Sequence, residues 1–183
     1  MMMPILLDTS VLSEASKPKP HPDVMRFLGT ADNLFIPAGT LIELQLGIMQ
    51  VCARDPIKAV KLSAWYQDIV RCVPLIPTKK EVCEVLGTLA ADPKLRSLMI
   101  EDKSAKKRSG LQDLHIAAAA LVHRAAIATF NVADFLLIDQ FYPLPGIYNP
   151  LTDVWHARME PMFELEEPLG RPESSLGDYR YAG

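Results

Sequence analysis

The stretch "MMMPILLDTS", residues 1–10, places a short apolar run directly before an acidic residue. Ile5, Leu6 and Leu7 are typical of a short strand that is buried on both faces of a sheet. Asp8 then stands where another core residue would be the simplest choice. Two explanations are open: Asp8 caps the helix that follows, or its carboxylate serves chemistry at the end of the strand.

Further short apolar runs alternate with helical patterns along the chain. Strands are predicted at residues 5–7, 33–37, 72–77, 127–130 and 146–150. The longer helices are predicted at residues 40–53, 56–70, 78–91 and 111–126. This alternation predicts an α/β fold with a mainly parallel sheet. The last part of the chain is rich in Pro, Glu and Gly, so we predict a folded domain at residues 1–155 and a tail outside the core at residues 156–183.

The composition is that of an ordinary single domain. The chain has 183 residues, of which 49% are hydrophobic and 22% are charged, and its net charge of −3 gives no overall basic surface for nucleic acid. Its three cysteines include no Cys-x-x-Cys pair, which argues against a zinc site or a disulfide framework and suits a reducing compartment. No apolar run approaches the roughly 18 residues of a membrane span, and the first residues lack the basic segment of a signal peptide. We therefore expect a cytoplasmic protein with no membrane association.

Four acidic residues fall at one edge of the predicted sheet. Asp8 follows the first strand, and Glu43 lies in the first turn of the helix after the second. Asp113 begins the alanine-rich helix, and Asp134 follows the strand at 127–130. Because ligands of parallel sheets bind outside the carboxyl ends of the strands, we expect these carboxylates to share a cleft. Such a cluster needs raised pKa values or a bound cation, and an all-oxygen set suits Mg²⁺ or Mn²⁺. The implied chemistry is metal-assisted hydrolysis of a phosphodiester.

Each acid also has a purely structural explanation. Glu43 completes a capping box with Thr40, and Asn131 can cap the helix that contains Asp134. Asp113 is favourable in the first turn of any helix. These alternatives stay open for each residue taken singly. The four residues together favour a functional site, because all of them fall on the same edge of the sheet.

Four segments resemble, in order, the motifs of PIN-domain nucleases: "LLDTSVLSE", "GTLIELQLG", "LQDLHIAAAAL" and "ATFNVADF". The resemblance covers residues 4–151 and is closest to the VapC-like toxins of bacterial toxin–antitoxin systems. It implies a three-layer α/β/α sandwich with a central, mainly parallel five-stranded sheet. It also implies cleavage of RNA with Mg²⁺ or Mn²⁺, a homodimer, and neutralisation by a small antitoxin protein.

The resemblance also implies roles for individual residues. Asp8, Glu43 and Asp113 match the family's core metal-binding carboxylates, and Asp134 matches its fourth, more variable acid. Four further residues match the polar positions that line the family's pocket: Thr9, Ser10, Thr129 and Asn131. The chain departs from the family pattern at Ser10, where many members carry Asn, in a longer segment at residues 92–109, and in its additional tail.

A group of basic residues lies shortly before Asp113 in the sequence. This basic segment consists of Lys103, Lys106, Lys107 and Arg108. We expect it to contact RNA phosphates beside the acidic cluster. The alternative is a solvated run of charges that two acidic neighbours partly neutralise.

His115 and His123 lie on the alanine-rich helix and fit either proton transfer or a surface or supporting role. Other functions also stay open. The chain can be a PIN nuclease for RNA processing or DNA without a toxin role, or an inactive PIN scaffold that binds without cutting. A phosphate-accepting signalling module is disfavoured, because Thr78 rather than an aspartate follows residues 72–77.

Overall fold

A five-stranded sheet forms the centre of the protein, whose structure is a computed structural model that describes residues 3–99 and 110–158. Its strands are β1 (Ile5–Leu7), β2 (Leu34–Phe35), β3 (Ala126–Ala128), β4 (Ile147–Asn149) and β5 (Val154–Ala157). Their order across the sheet is β2-β1-β3-β4-β5. β1 runs parallel to β2 and β3, β3 runs parallel to β4, and only β5 is antiparallel to its neighbour. The predicted α/β fold with a mainly parallel five-stranded sheet is confirmed.

Helices cover both faces of the sheet. They are α1 (Thr9–Ala15), α2 (Pro22–Thr30), α3 (Ala38–Cys52), α4 (Pro56–Cys72), α5 (Lys80–Ala91), α6 (Arg96–Met99), α7 (Leu111–His123) and α8 (Val132–Asp139), with a 3₁₀ turn at Pro93–Leu95. Within residues 3–99 and 110–158, none of these helices combines the length and the apolar character that crossing a membrane requires.

The side chains of β1 divide the core into two parts. Ile5 and Leu7 belong to a cluster with the apolar faces of α1, α2 and α4, including Trp65. Leu6 belongs to a second cluster with α5, α7 and α8, including Ile116. Successive side chains of a strand point to opposite faces, so a three-residue strand that is apolar throughout is buried on both sides. This arrangement is the three-layer sandwich that the sequence predicts.

The predicted strand at residues 72–77 is wrong. Cys72 ends α4, and the following residues make one isolated parallel bridge, between Leu75 and Ile36. Its hydrogen bonds run from the Ile36 N–H to the Pro74 carbonyl and from the Ile76 N–H to the Ile36 carbonyl, both 3.0 Å long. Pro74 has no N–H to donate to the preceding part of β2, and on the other side α3 begins at Ala38, so the bridge cannot extend into a longer ladder.

The fifth strand instead comes from residues that straddle the predicted domain boundary. β5 continues to Ala157, two residues beyond residue 155. The ring of Trp155 packs against Tyr148 of β4 at a centroid distance of 5.0 Å, and the Tyr148 hydroxyl donates to Asp153 at 2.6 Å. Arg158 then pairs with Asp139 at the end of α8. The sheet therefore extends two residues past the predicted boundary at 155, and residues 159–183 of the predicted tail lie outside the described residues.

Candidate active site

The central strands bring two distant parts of the sequence side by side. Leu7 at the end of β1 is in register with Ala128 at the end of β3. The Asp8 N–H continues this ladder by donating to the Ala128 carbonyl at 3.0 Å, and the Thr129 N–H donates to the Tyr148 carbonyl at 2.9 Å. Asp8 and Thr129 are thus the first residues beyond the carboxyl ends of adjacent strands, as parallel topology requires.

Three carboxylates meet at this edge. Asp8, Glu43 and Asp113 each offer a carboxylate oxygen, and these three oxygens lie within 4.8 Å of one another. Asp8 and Asp113 are buried, with exposures of 1% and 2%, and Glu43 is half-buried. The residues come from the end of β1, the second turn of α3 and the first turn of α7. Three of the four acids selected from the sequence therefore form one cluster.

Asp8 is held by three donors. One carboxylate oxygen accepts the Thr9 N–H at 2.7 Å, and the other accepts the hydroxyls of Ser10 at 2.5 Å and Thr129 at 2.7 Å. The Ser10 hydroxyl in turn accepts the Phe130 N–H at 3.0 Å. Asp8 is also the N-cap of α1. The capping explanation for Asp8 is therefore confirmed. It does not exclude the chemical one, which stays a prediction, because the same carboxylate ends the strand, caps the helix and faces the other acids.

Glu43 does not form the capping box that its spacing from Thr40 allows. The helix begins at Ala38, so Thr40 lies within its first turn, and the Thr40 hydroxyl donates to the Leu7 carbonyl at 2.8 Å. The Glu43 carboxylate instead accepts the Thr9 hydroxyl at 2.7 Å. Both bonds tie the start of α3 to the end of β1, and the Glu43 carboxylate points toward Asp8 rather than back along its own helix.

Asn131 links the remaining acids. Its side-chain amide donates to Asp113 at 3.3 Å and contacts the carboxylate of Asp134, while its own N–H donates to the Thr129 hydroxyl at 2.8 Å. It makes no side-chain cap for α8, so the structural explanation of Asn131 as a cap is wrong. Asp134 is half-buried and lies outside the three-residue cluster. The side-chain amide of Asn131 lies between its carboxylate and that of Asp113.

The charges of the cluster favour a cation. At an effective dielectric constant of about 20, two carboxylates at such a separation repel by roughly 3 kcal/mol. The hydroxyl and amide donors named above stabilise each carboxylate but carry no net charge. Oxygen ligands alone, in a partly buried group, fit a hard divalent ion such as Mg²⁺ or Mn²⁺ and do not fit the sulfur and nitrogen preferences of zinc. The residues present therefore fit the metal that the family resemblance implies.

His115 is the residue whose position sequence reasoning missed. Its Nδ1 accepts the Gly39 N–H at 3.2 Å, and its Nε2 lies 3.2 Å from the Thr78 hydroxyl. Burial lowers the pKa of His115 below its ordinary value, which favours the neutral ring. His123, eight residues along α7, contacts the Pro77 carbonyl at 2.8 Å and does not contact Gly39 or Thr78 in any hydrogen bond of the described residues. Spacing in the sequence carries no signal that pairs His115 with a glycine 76 residues earlier.

The basic segment lies outside the described residues, as does the tail beyond Arg158. The three cysteines are free thiols, as their sequence pattern indicates: Cys52, Cys72 and Cys83.

Comparisons with known proteins agree with this architecture. A family model described as "PIN domain" matches residues 5–138. Toxin FitB of Neisseria gonorrhoeae (strain ATCC 700825 / FA 1090) is 25% identical over 159 residues, which is 83% of this chain and 99% of FitB. The crystal structure of FitAcB from Neisseria gonorrhoeae has a TM-score of 0.57 at 23% identity and covers 80% of this chain and 97% of that chain. The 2.2 Å structure of VapBC-1 from nontypeable Haemophilus influenzae has a TM-score of 0.57 at 20% identity, over 81% of this chain and 98% of that chain.

The structural matches concern the fold, and the family model covers all three residues of the carboxylate cluster. Residues 5–138 make up well over half of the chain and run from β1 to α8. The resemblance that the four sequence motifs suggest is confirmed, and this chain belongs to the PIN domain family.

Proposed function

We propose that the protein is a divalent-metal-dependent endoribonuclease that hydrolyses RNA phosphodiester bonds. One observation carries the proposal: Asp8, Glu43 and Asp113 present carboxylate oxygens within 4.8 Å of one another at the carboxyl edge of the sheet. The three acids come from three separate elements, and their like charges repel one another unless a cation lies between them. Membership of the PIN domain family supports nuclease chemistry.

Asp8, Glu43 and Asp113 would hold Mg²⁺ or Mn²⁺, and Asp134 would contribute through Asn131. When bound, such an ion activates water for attack on a phosphorus atom and stabilises charge on the phosphate oxygens. The polar residues around the cluster fix the ligands. Thr9 restrains Glu43, while Ser10 and Thr129 restrain Asp8, so the carboxylate oxygens need little reorganisation to meet a cation.

The biological role we propose is that of the toxin in a toxin–antitoxin pair. The supporting observation is the similarity to a protein that is itself named a toxin, FitB, over 99% of its length. A cognate antitoxin and a homodimer follow from the same family resemblance, and an RNA-cleaving toxin would act in the cytoplasm. A PIN nuclease for RNA processing or DNA without a toxin role is the alternative.

The catalytic proposal is tested with three proteins: wild type, Asp8→Asn, and Asp32→Asn as a matched control at an exposed acid outside the cluster. Each is incubated with single-stranded RNA and single-stranded DNA, with Mg²⁺ or Mn²⁺ and with a chelator. We expect wild type and Asp32→Asn to cleave RNA only when metal is present, and Asp8→Asn to be inactive. Cleavage by Asp8→Asn, or cleavage that survives chelation, would exclude the mechanism, and preferential cutting of DNA would change the substrate.

The toxin proposal needs a separate experiment. Induced expression of wild type in a bacterial host should arrest growth, expression of Asp8→Asn should not, and a small protein encoded directly beside the gene should relieve the arrest. Robust RNA cleavage in vitro without growth arrest would instead favour the processing nuclease.

A further inference from the structure

The start of α3 lacks a cap from its own side chains. Its N-cap residue is Pro37, which makes no side-chain hydrogen bond to the helix. The first N–H groups of an α-helix have no partner within the helix and need an acceptor from elsewhere. Gly39 is the second residue of α3 and is buried, and its N–H donates to the Nδ1 atom of His115 at 3.2 Å. A side chain of α7 therefore serves as the cap of α3.

This contact fixes the chemical form of the histidine. A backbone N–H can only donate, so the Nδ1 atom must be the acceptor and carry no proton. The proton of the neutral ring then lies on Nε2, which donates to the Thr78 hydroxyl at 3.2 Å. Both ring nitrogens are thus engaged, one by α3 and one by the segment before α5, and His115 is excluded from accepting a proton from substrate.

The backbones of α3 and α7 approach closely at the same point. A Cβ atom added to Gly39 would lie 2.9 Å from the Gln112 carbonyl oxygen and 3.2 Å from His115 Nδ1. The first of these contacts is with backbone, which cannot move aside without shifting the helix. Only glycine therefore permits this separation of the two helices, and the separation lets the His115 ring reach the Gly39 amide.

The carboxylate cluster spans the same two helices. Glu43 lies one turn after Gly39 on α3, and Asp113 lies two residues before His115 on α7. We infer that His115 is a positioning residue: by capping α3 through Gly39 it holds Glu43 at the correct distance from Asp113. The inference rests on the proposed function in one respect, which is that the cluster binds a divalent ion. The capping of α3 by His115 does not depend on a metal.

The first test uses the metal-free wild-type protein. Long-range ¹H–¹⁵N NMR spectra of the histidine rings should show His115 neutral with the proton on Nε2, and amide hydrogen exchange at Gly39 should be slow. His115→Leu should accelerate exchange at Gly39, because its amide loses the acceptor. A proton on Nδ1, or rapid exchange at Gly39 in wild type, would overturn the inference. This measurement remains decisive even if a variant does not fold.

The second test measures Mn²⁺ affinity by calorimetry. His115→Leu should bind Mn²⁺ about 10-fold to 100-fold more weakly, the usual loss when a group that orients metal ligands is removed. His115→Asn should restore binding, because its amide oxygen can occupy the position of Nδ1. Gly39→Ala should weaken binding from the other helix. His123→Leu and His123→Asn are the matched controls on α7 and should bind like wild type.

The two proposals fail in different ways. If wild type binds Mn²⁺ no more tightly than Asp8→Asn, the proposed function is wrong, and the NMR result alone decides the capping role. If wild type binds but His115→Leu equals wild type, or His115→Asn is as weak as His115→Leu, the cluster binds metal and the positioning inference is wrong.

Discussion

Thr129→Val isolates one hydrogen-bonding group of the site without changing its shape. Thr129 is fully buried, and its hydroxyl donates to Asp8 at 2.7 Å while it accepts the Asn131 N–H at 2.8 Å. Valine replaces the hydroxyl with a methyl group of similar size, so the cavity stays filled. The substitution removes a hydrogen bond to a carboxylate and leaves a backbone amide without its acceptor.

The expected cost follows from these two losses. A hydrogen bond to a charged group contributes about 1.5–3 kcal/mol, and a buried polar group left unsatisfied costs about 1–3 kcal/mol. Because Asp8 keeps its bonds from Thr9 and Ser10, we expect a net loss near the lower end of the sum, about 3 kcal/mol. For a domain of this size that corresponds to a fall in Tm of roughly 6–12 °C.

The assay is urea unfolding followed by circular dichroism at neutral pH in the presence of a chelator. Thr129→Ser keeps the hydroxyl and should retain most of the stability. Thr88→Val is the matched control, because Thr88 is exposed and its hydroxyl bonds only to the Glu84 carbonyl of its own helix. The reasoning is refuted if Thr129→Val is as stable as wild type, or if Thr129→Ser loses as much stability as Thr129→Val.

Three further predictions concern the metal, the pH and the substrate. Mg²⁺ at 100 times its dissociation constant should raise the free energy of unfolding of the wild-type protein by about 2.7 kcal/mol, measured by thermal unfolding. Asp113→Asn should lose most of that gain, and an equal gain in the variant and the wild type would contradict a metal site at Asp113. The pKa of Asp92 is held below its ordinary value of 3.8, first by the Lys94 N–H and then by the Tyr142 hydroxyl. The stability that the hydrogen bond between Tyr142 and Asp92 contributes is therefore present above pH 3.8, and it is lost as the pH falls through the lower pKa of Asp92 in the folded protein. Tyr142→Phe should therefore be less stable than wild type at neutral pH, with a difference that shrinks in acid; a difference independent of pH would contradict this. Replacing the basic segment with alanines should reduce the slope of log Kd for RNA against log salt by about 3, at about 0.7 per phosphate contact, and an unchanged slope would remove its substrate role.

The site residues that could be predicted from the sequence share one property: their positions follow from where a strand ends or a helix starts. Asp8 directly follows a run of three apolar residues, and Asp113 opens an alanine-rich helix, so parallel topology alone brings them to the same edge. The side-chain partners could not be predicted in the same way. Glu43 matches a capping box in the sequence, but tertiary contact with Thr9 prevails over that local pattern.

Two other features depend on distances that no local pattern encodes. The fifth strand, Val154–Ala157, is stabilised by the packing of Trp155 against Tyr148 of the neighbouring strand, whereas the composition of the region is that of a tail. The cap that His115 provides for α3 depends on the approach of two helices whose contact residues are 76 positions apart. In both cases the contact depends on how separate segments of the chain pack in the fold, so the residue types alone do not predict it.

The position of β1 between β2 and β3 in the sheet has a consequence for synthesis of the protein. Thr129, which fixes the carboxylate of Asp8, lies 121 residues later in the chain and is therefore synthesised after it. At a translation rate of about 5–20 residues per second, Thr129 is synthesised roughly 6–24 s after Asp8. A nascent or prematurely terminated chain that lacks β3 consequently has no assembled carboxylate cluster. For an enzyme proposed to degrade RNA inside the cell that makes it, this order of assembly delays activity until translation of the domain is nearly complete.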